Sequence, residues 1–315
     1  MLVFVACCAV LVTAGVAAAA NGGFTPETAH SPNAARISTT YYVILGFTAA
    51  IFVLVEGLLV VFAWKYRSGG RARSVDGDQV HGHTRLEVIW TVIPVLILAA
   101  IGGFVFYKLP GISDAPAATD AVHVTVEAHQ YYWQFNYPNG AHSINDLVVP
   151  AGRVVDLTVV SPDVIHSWWI PALGGKIQAI PGKTNHTWFR ADKPGTYVGQ
   201  CAELCGLYHA AMRARVIATT PAEYETFIAT TAKAGLGRSE FTGVCATCHG
   251  MRGEGGYGPN LASNPLLIQT AGLTGIVRNG RGKMPAVGDT WTAEQMQALV
   301  SYVRAHVYKG APSGG

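Results

Sequence analysis

Cys201, Glu203, Cys205, His209 and Met212 crowd into one short stretch, "CAELCGLYHAAM", and His166 in "DVIHSWW" stands well upstream of it. Thiolate, imidazole and thioether form a soft donor set suited to copper. Two cysteines four apart on one loop can bridge two copper ions with both sulfurs. His166 and His209 would then cap one ion each, with Met212 a weak ligand to one of them. A pair that shares an electron in this way changes its bond lengths little on reduction. That suits electron transfer better than substrate chemistry. Taken singly, the residues have plainer readings: a Cys201–Cys205 disulfide, Met212 in a core, His166 as a buried histidine beside Trp168 and Trp169. The complete pattern favours the metal.

A second constellation lies downstream. Cys245-x-x-Cys248-His249 has the spacing of a c-type haem attachment site. Two thiols add to the two vinyl groups of one porphyrin edge while the adjacent imidazole reaches the iron. A thioredoxin-like pair would need a βαβ context and no following histidine. Met251 is too close to His249 to reach the opposite face, and Met296 sits in the helical stretch "TAEQMQALVSYV", where packing is its expected role. Met284, in the loop "GRGKMPAVG", is the expected sixth ligand, with His306 a rival. Thioether ligation raises a haem's potential. His81 and His83 read as members of a solvated loop, and no phosphate-binding loop, nucleophile elbow or paired-carboxylate arrangement stands out.

These residues need elements to hold them, and the composition indicates which. Half of the 315 residues are hydrophobic and only 13% are charged, against about a quarter charged in ordinary soluble domains. That excludes a mainly disordered chain, and a net charge of +3 argues against nucleic-acid binding. Met1–Ala20 is an uncharged apolar run ending in small residues, read as a signal peptide, with a third membrane helix as the alternative. The polar segment Asn21–Thr40 is expected to be exposed. Two apolar spans, Tyr41–Trp64 and about 87–107, are each long enough to cross a bilayer and predict a transmembrane hairpin over 41–107. Lys65, Arg67, Arg71, Arg73 and Arg85 place the connecting loop in the cytoplasm and the rest of the chain outside.

The outer part divides in two. Alternating β-branched runs over 121–218 ("VHVTVEA", "RVVDLTVVS", "HTWFRAD", "RARVIA") predict a β-sandwich. A connector of helical character at 219–236 leads to a Gly-rich segment, 237–310, that is helical at both ends. Cys7 and Cys8 fall in the export segment, so the two motifs use every other cysteine and none is left for a structural disulfide.

The stretches "DVIHSWWIPALGGKIQAIPG" and "GQCAELCGLYHAAM", behind two membrane spans, resemble subunit II of cytochrome c oxidase, and "CATCH" with "GYGPNL" resembles a class I cytochrome c. The resemblance implies a multi-domain membrane protein: a two-helix hairpin, a cupredoxin-like sandwich carrying the dinuclear CuA centre, and an all-α cytochrome c domain with covalent haem c. It assigns His166, Cys201, Cys205 and Met212 to one copper, and Cys201, Cys205, His209 and the Glu203 carbonyl to the other. The Glu203 carboxylate would face a magnesium ion shared with subunit I, and Glu87 in "RLEVIWTVIP" would lie at the mouth of a proton pathway. The family places a tryptophan after the Gln of its aromatic stretch, to receive electrons over the copper. Here "HQYYWQF" puts Tyr131 in that place, followed by Tyr132 and Trp133, the last read as sandwich packing.

The implied partners are oxidase subunits I and III, membrane lipid, and a cytochrome c or cytochrome bc complex as donor. The implied location is a bacterial inner membrane with the copper and haem domains outside. Residues 120–220 carry seven basic and seven acidic side chains, whereas 237–315 carry seven against four. The balanced sandwich is therefore a poor dock for a free basic cytochrome, and the fused domain can take that role. A nitrous-oxide-reductase-like enzyme would need a further catalytic domain. A copper-assembly module would not need both hairpin and haem, and a quinol oxidase would not need the copper ligands.

Overall fold

The computed structural model describes residues 25–67, 81–231 and 236–310. The expected export segment lies outside them, as do Arg71 and Arg73. The chain divides into two compact units, one spanning Arg36–Ile112 and one containing the rest.

The first unit is a helical pair. Helix α1 spans Pro32–Lys65 and α2 spans Thr84–Lys108. At about 1.5 Å per residue, both exceed the roughly 30 Å hydrocarbon core. No residue of α2 is buried, and Phe52, Leu54, Leu96 and Leu98 are all exposed. A helix apolar all round with no protein covering it requires lipid instead. At the start of α2 the His83 ring accepts from the Leu86 N–H, and the Glu87 carboxylate accepts from the His83 N–H at 3.2 Å.

One expectation is corrected at the start of α1. The helix begins at Pro32 rather than Tyr41, and Ser31, Asn33 and Ala34 are buried rather than exposed. Proline is pre-set for the first helical turn. Ser31 donates to the Asn33 side-chain carbonyl at 2.6 Å, and the Asn33 amide donates to the Trp188 carbonyl at 2.5 Å. These short polar side chains find their partners on the sandwich.

The second unit opens with ten strands: β1 Val122–His129, β2 Tyr132–Asn136, β3 His142–Ile144, β4 Asp146–Pro150, β5 Val155–Val160, β6 His166–Trp168, β7 Ile177–Ala179, β8 Asn185–Phe189, β9 Gly195–Gln200 and β10 Arg213–Thr219. They form sheets ordered β3-β2-β1-β5-β8 and β4-β10-β9, with β6-β7 as a small ribbon. In β5 the side chains of Val155, Leu157 and Val159 are buried while Asp156 and Thr158 between them are less so. This period of two locks the register, since a one-residue slip would turn the apolar set to solvent. Trp133, Phe135, Leu147, Trp168 and Val216 join that core.

Helix α3 (Pro221–Thr231) leads to the helical domain. That domain consists of α4 (Leu236–Glu240), a wide turn at Phe241–Cys245, α5 (Ala246–His249), α6 (Thr270–Asn279) and α7 (Ala293–Tyr302). Thr292 and Gln295 close a reciprocal cap at the start of α7. The apolar cluster of Phe241, Leu273, Trp291, Met296 and Leu299 also takes in Tyr132 and Ile144 from the sandwich. The helical domain thus completes its core against β2 and β3.

Candidate metal centre and haem-attachment segment

The loop from β9 into β10 carries Cys201, Cys205 and His209, with Met212 just before β10, while β6 brings in His166. The Cys201 N–H donates to the Met212 carbonyl and the Ala202 N–H to the Ser167 carbonyl, which pins the loop to β6. The Cys201 sulfur lies 3.9 Å from His166 Nδ1, 4.0 Å from the Cys205 sulfur and 3.2 Å from the Glu203 carbonyl. The Cys205 sulfur lies 3.5 Å from His209 Nδ1 and 3.8 Å from the Met212 sulfur. His166, Cys201, Cys205 and Met212 are buried, and His209 is half-buried. Among the described residues, the donor atoms of His166, Cys201 and Cys205 form one group within 4.8 Å.

The electrostatics favour a cation there. Burial raises the Cys201 thiol, but His166 and neighbouring backbone groups more than offset it, so its net shift is downward. Burial and the adjacent Cys201 sulfur push the Cys205 thiol up. One thiolate therefore forms readily and opposes the second, and a bound cation would stabilise both. His166 is oriented from behind: its Nε2 donates to the Asp163 carboxylate at 2.8 Å, leaving Nδ1 toward the sulfurs. A carboxylate in that position is how ligating histidines are commonly held. Asp163 itself accepts from the Gln130 and Val164 N–H groups. The donor set and its support fit a soft metal.

The other candidates occupy different settings. The Glu203 carboxylate is half-buried and accepts from the Gln178 amide at 3.1 Å. Tyr131 is partly buried, and its hydroxyl accepts from the Leu207 N–H at 3.1 Å. Gly206 beside it has φ +131°, and a Cβ there would fall 2.6 Å from the Tyr131 hydroxyl. Tyr132 is buried at the seam with the helical domain and stacks on His129 with centroids 4.6 Å apart. Trp133 is fully buried, edge-on to Trp168 and 6.2 Å from the His166 ring.

In the helical domain Cys245 and Cys248 are free thiols, and His249 is buried at the end of α5. His249 Nδ1 lies 2.8 Å from the Pro259 carbonyl, which can only accept, so Nδ1 carries a proton and in the neutral ring Nε2 is the nitrogen with the lone pair. That is the tautomer an axial ligand needs. Gly258 runs against the ring so closely that a Cβ would sit 2.7 Å from Cε1. Met284 is half-buried in a tight turn closed by reciprocal backbone bonds with Arg281, while Met296 is buried in the core. His306 packs against Tyr302 at 4.8 Å. The residues present fit a haem attached here.

Asp163, Pro259 and Tyr208 escaped the sequence reading. Asp163, three residues before His166, had a detectable signal as a carboxylate near a ligating histidine. The other two owe their roles to contacts that local spacing does not encode.

Residues 19–107 match the family "Cytochrome C oxidase subunit II, transmembrane domain", and residues 141–219 match its periplasmic domain. Residues 232–303 match "Cytochrome C oxidase, cbb3-type, subunit III". Cytochrome c oxidase subunit 2 of Alkalihalophilus pseudofirmus is 35% identical, over 81% of this chain and 84% of that one. The Cereibacter sphaeroides protein of the same name is 31% identical, over 65% and 78%. The solved periplasmic domain of subunit II of cytochrome oxidase from Bradyrhizobium japonicum is 34% identical, covering 38% of this chain and 97% of that one, with a TM-score of 0.36. Since hairpin, outer sandwich and cytochrome domain are each matched, and a relative follows the chain along most of its length, the protein belongs to the cytochrome c oxidase subunit II family, in a form fused to a cytochrome c domain, and serves electron transfer in a haem–copper oxidase.

Proposed function

We propose that this chain receives electrons for a proton-pumping terminal oxidase, taking them from a cytochrome c-type donor and handing them to subunit I, where oxygen is reduced to water. The observation that carries the reading is the convergence of Cys201, Cys205, His166, His209 and Met212 on one buried cluster, in the same compact unit as His249 with its free Nε2. When bound, a dinuclear CuA centre and a covalent haem c supply one-electron carriers.

Cys201, Cys205, His166 and His209 would hold the copper pair. Met212, as a weak ligand, and the Glu203 carbonyl would complete its donor set. Asp163 holds the His166 ring so that its ligating nitrogen need not reorient on binding. Cys245 and Cys248 would anchor the porphyrin, and His249 and Met284 would ligate its iron. The Glu203 carboxylate is proposed for a magnesium ion at the subunit I face, and Glu87 for the mouth of a proton pathway. Tyr131 is the proposed stand-in for the family's tryptophan.

Tethering makes the step from haem to copper intramolecular, so its rate depends on effective concentration rather than on free diffusion. Subunit III, lipid contacts and a bacterial inner-membrane location with the outer domains in the periplasm complete the proposal. Spectroscopy on the full chain tests it. A haem that resists acid extraction, together with a mixed-valence two-copper EPR signal, is the expected result. One mononuclear copper with no covalent haem would overturn it.

A further inference from the structure

One side chain links the two halves of this apparatus. Tyr208 immediately precedes His209 on the copper loop. Its hydroxyl donates to the Lys283 carbonyl at 2.9 Å, and Lys283 is peptide-bonded to Met284. Its ring meets Tyr257 edge-to-face with centroids 5.9 Å apart, and Tyr257 adjoins Gly258, the residue pressed against the His249 ring. On the other side it meets Tyr131 edge-to-face at 5.3 Å, and the Tyr131 hydroxyl returns to the copper loop through the Leu207 N–H. One residue therefore touches the backbone next to Met284, reaches the His249 side through the Tyr257 ring, and belongs to the loop that carries the copper ligands.

We propose that Tyr208 is the junction through which an electron crosses from the haem domain to the copper loop, with Tyr131 and Tyr257 as its flanking contacts. The proposal rests on the reading of the two sites given above and adds the route between them. An electron tunnels more readily along bonded and contacting groups than across a gap. The Tyr208 hydrogen bond and the edge-to-face contacts supply such a path in a region otherwise open to solvent, where Tyr257 is 73% exposed. The transfer oxidises the haem by one electron and reduces the copper pair by one. The tyrosines stay neutral, no bond forms or breaks and no proton moves.

The seam is also held elsewhere. Trp291 donates to Tyr132, the Asn145 amide to the Gly243 carbonyl and the Gln295 amide to Gln134. Removing the Tyr208 ring should therefore leave the domains docked, which separates an electronic role from a mechanical one.

The test uses the full chain carrying both centres, with the haem photoreduced by an external ruthenium dye and electron arrival at copper followed optically. Hydrogen exchange of residues 280–286 and 131–136 reports docking independently of electron flow. The Tyr208→Leu protein is expected to transfer about tenfold more slowly, a change in barrier of about 1.4 kcal/mol, with unchanged haem and copper spectra and unchanged exchange. Tyr208→Phe, which keeps the ring and loses the hydroxyl, should fall between Tyr208→Leu and the parent. An unchanged rate in Tyr208→Leu overturns the proposal. So does equal slowing in both variants with raised exchange at 280–286, because Tyr208 would then be only a tether. Absence of either centre from the unsubstituted chain overturns the reading of the sites, and the junction with it, before any variant is made.

Discussion

The indole N–H of Trp291 donates to the hydroxyl of Tyr132 at 2.6 Å, and both rings are buried. The two residues are 159 positions apart, one in the helical domain and one on β2. Their bond lies inside an apolar cluster that neither domain completes alone, so the cytochrome domain is seated on the sandwich.

Trp291→Phe should loosen this seat. It removes the N–H that donates to the buried Tyr132 hydroxyl and leaves a smaller ring in the same space. Leaving a buried polar group unpaired costs about 1–3 kcal/mol. The expected result is a lower melting temperature for the helical domain and faster hydrogen exchange in α7 and β2. Unchanged exchange in both would show that the bond contributes nothing to docking.

Asp163→Asn should weaken metal retention without unfolding the sandwich. The amide keeps a single acceptor oxygen, which at the Oδ1 place still serves the Val164 N–H, while the Gln130 N–H at the Oδ2 place loses its acceptor and His166 loses its charged partner. Loss of such a supporting carboxylate typically costs about 10–100-fold in metal affinity. Copper content after dialysis against a graded series of chelator concentrations measures this. Retention equal to the parent's would remove Asp163 from the site.

Met284→Ala should abolish the methionine-to-iron charge-transfer band of the oxidised haem and lower its potential, since a thioether ligand raises it. Absorption spectra and potentiometry check both. If the band persists, another methionine and not Met284 holds the iron; if the parent shows no such band, His306 becomes the next candidate.

Glu240→Gln should change the pH dependence of stability. Glu240 is fully buried, neither carboxylate oxygen has a partner at hydrogen-bond distance among the described residues, and His142 Nε2 stands 3.8 Å away. Burial pushes its carboxyl up to about 7 from 4.5. The folded chain therefore holds this proton where the unfolded chain has released it. That stabilises the fold fully below about pH 4.5 and is lost as pH rises through about 7, at most roughly 3 kcal/mol. Near pH 8 the Gln variant should melt at a higher temperature than the parent, and near pH 4 the gap should close. A gap independent of pH would mean the carboxyl does not titrate in this window.

Much of the protein could be read from short-range order. The "CATCH" motif and the Cys201–Met212 run are local, so their chemistry survives in the bare sequence. The two apolar spans are equally visible, because a lipid-facing helix must be apolar around its whole circumference. The first helix still began earlier than expected: Ser31 and Asn33 look like solvent-exposed residues until the Trp188 carbonyl is brought to them. The three-residue strands β3, β6 and β7 are too short to show a period.

What the sequence determined by itself is the inventory of donors and the membrane anchoring, since both depend on residue type and near spacing. Tertiary structure decided how those donors are placed. It set the His166 imidazole 3.9 Å from Cys201 across 35 positions, and it fixed the proton on His249 through the Pro259 carbonyl. It also joined Tyr208 to Lys283 across 75 positions. Contacts of that kind arise when sheets and helices close on one another, and no local periodicity records which loops will meet.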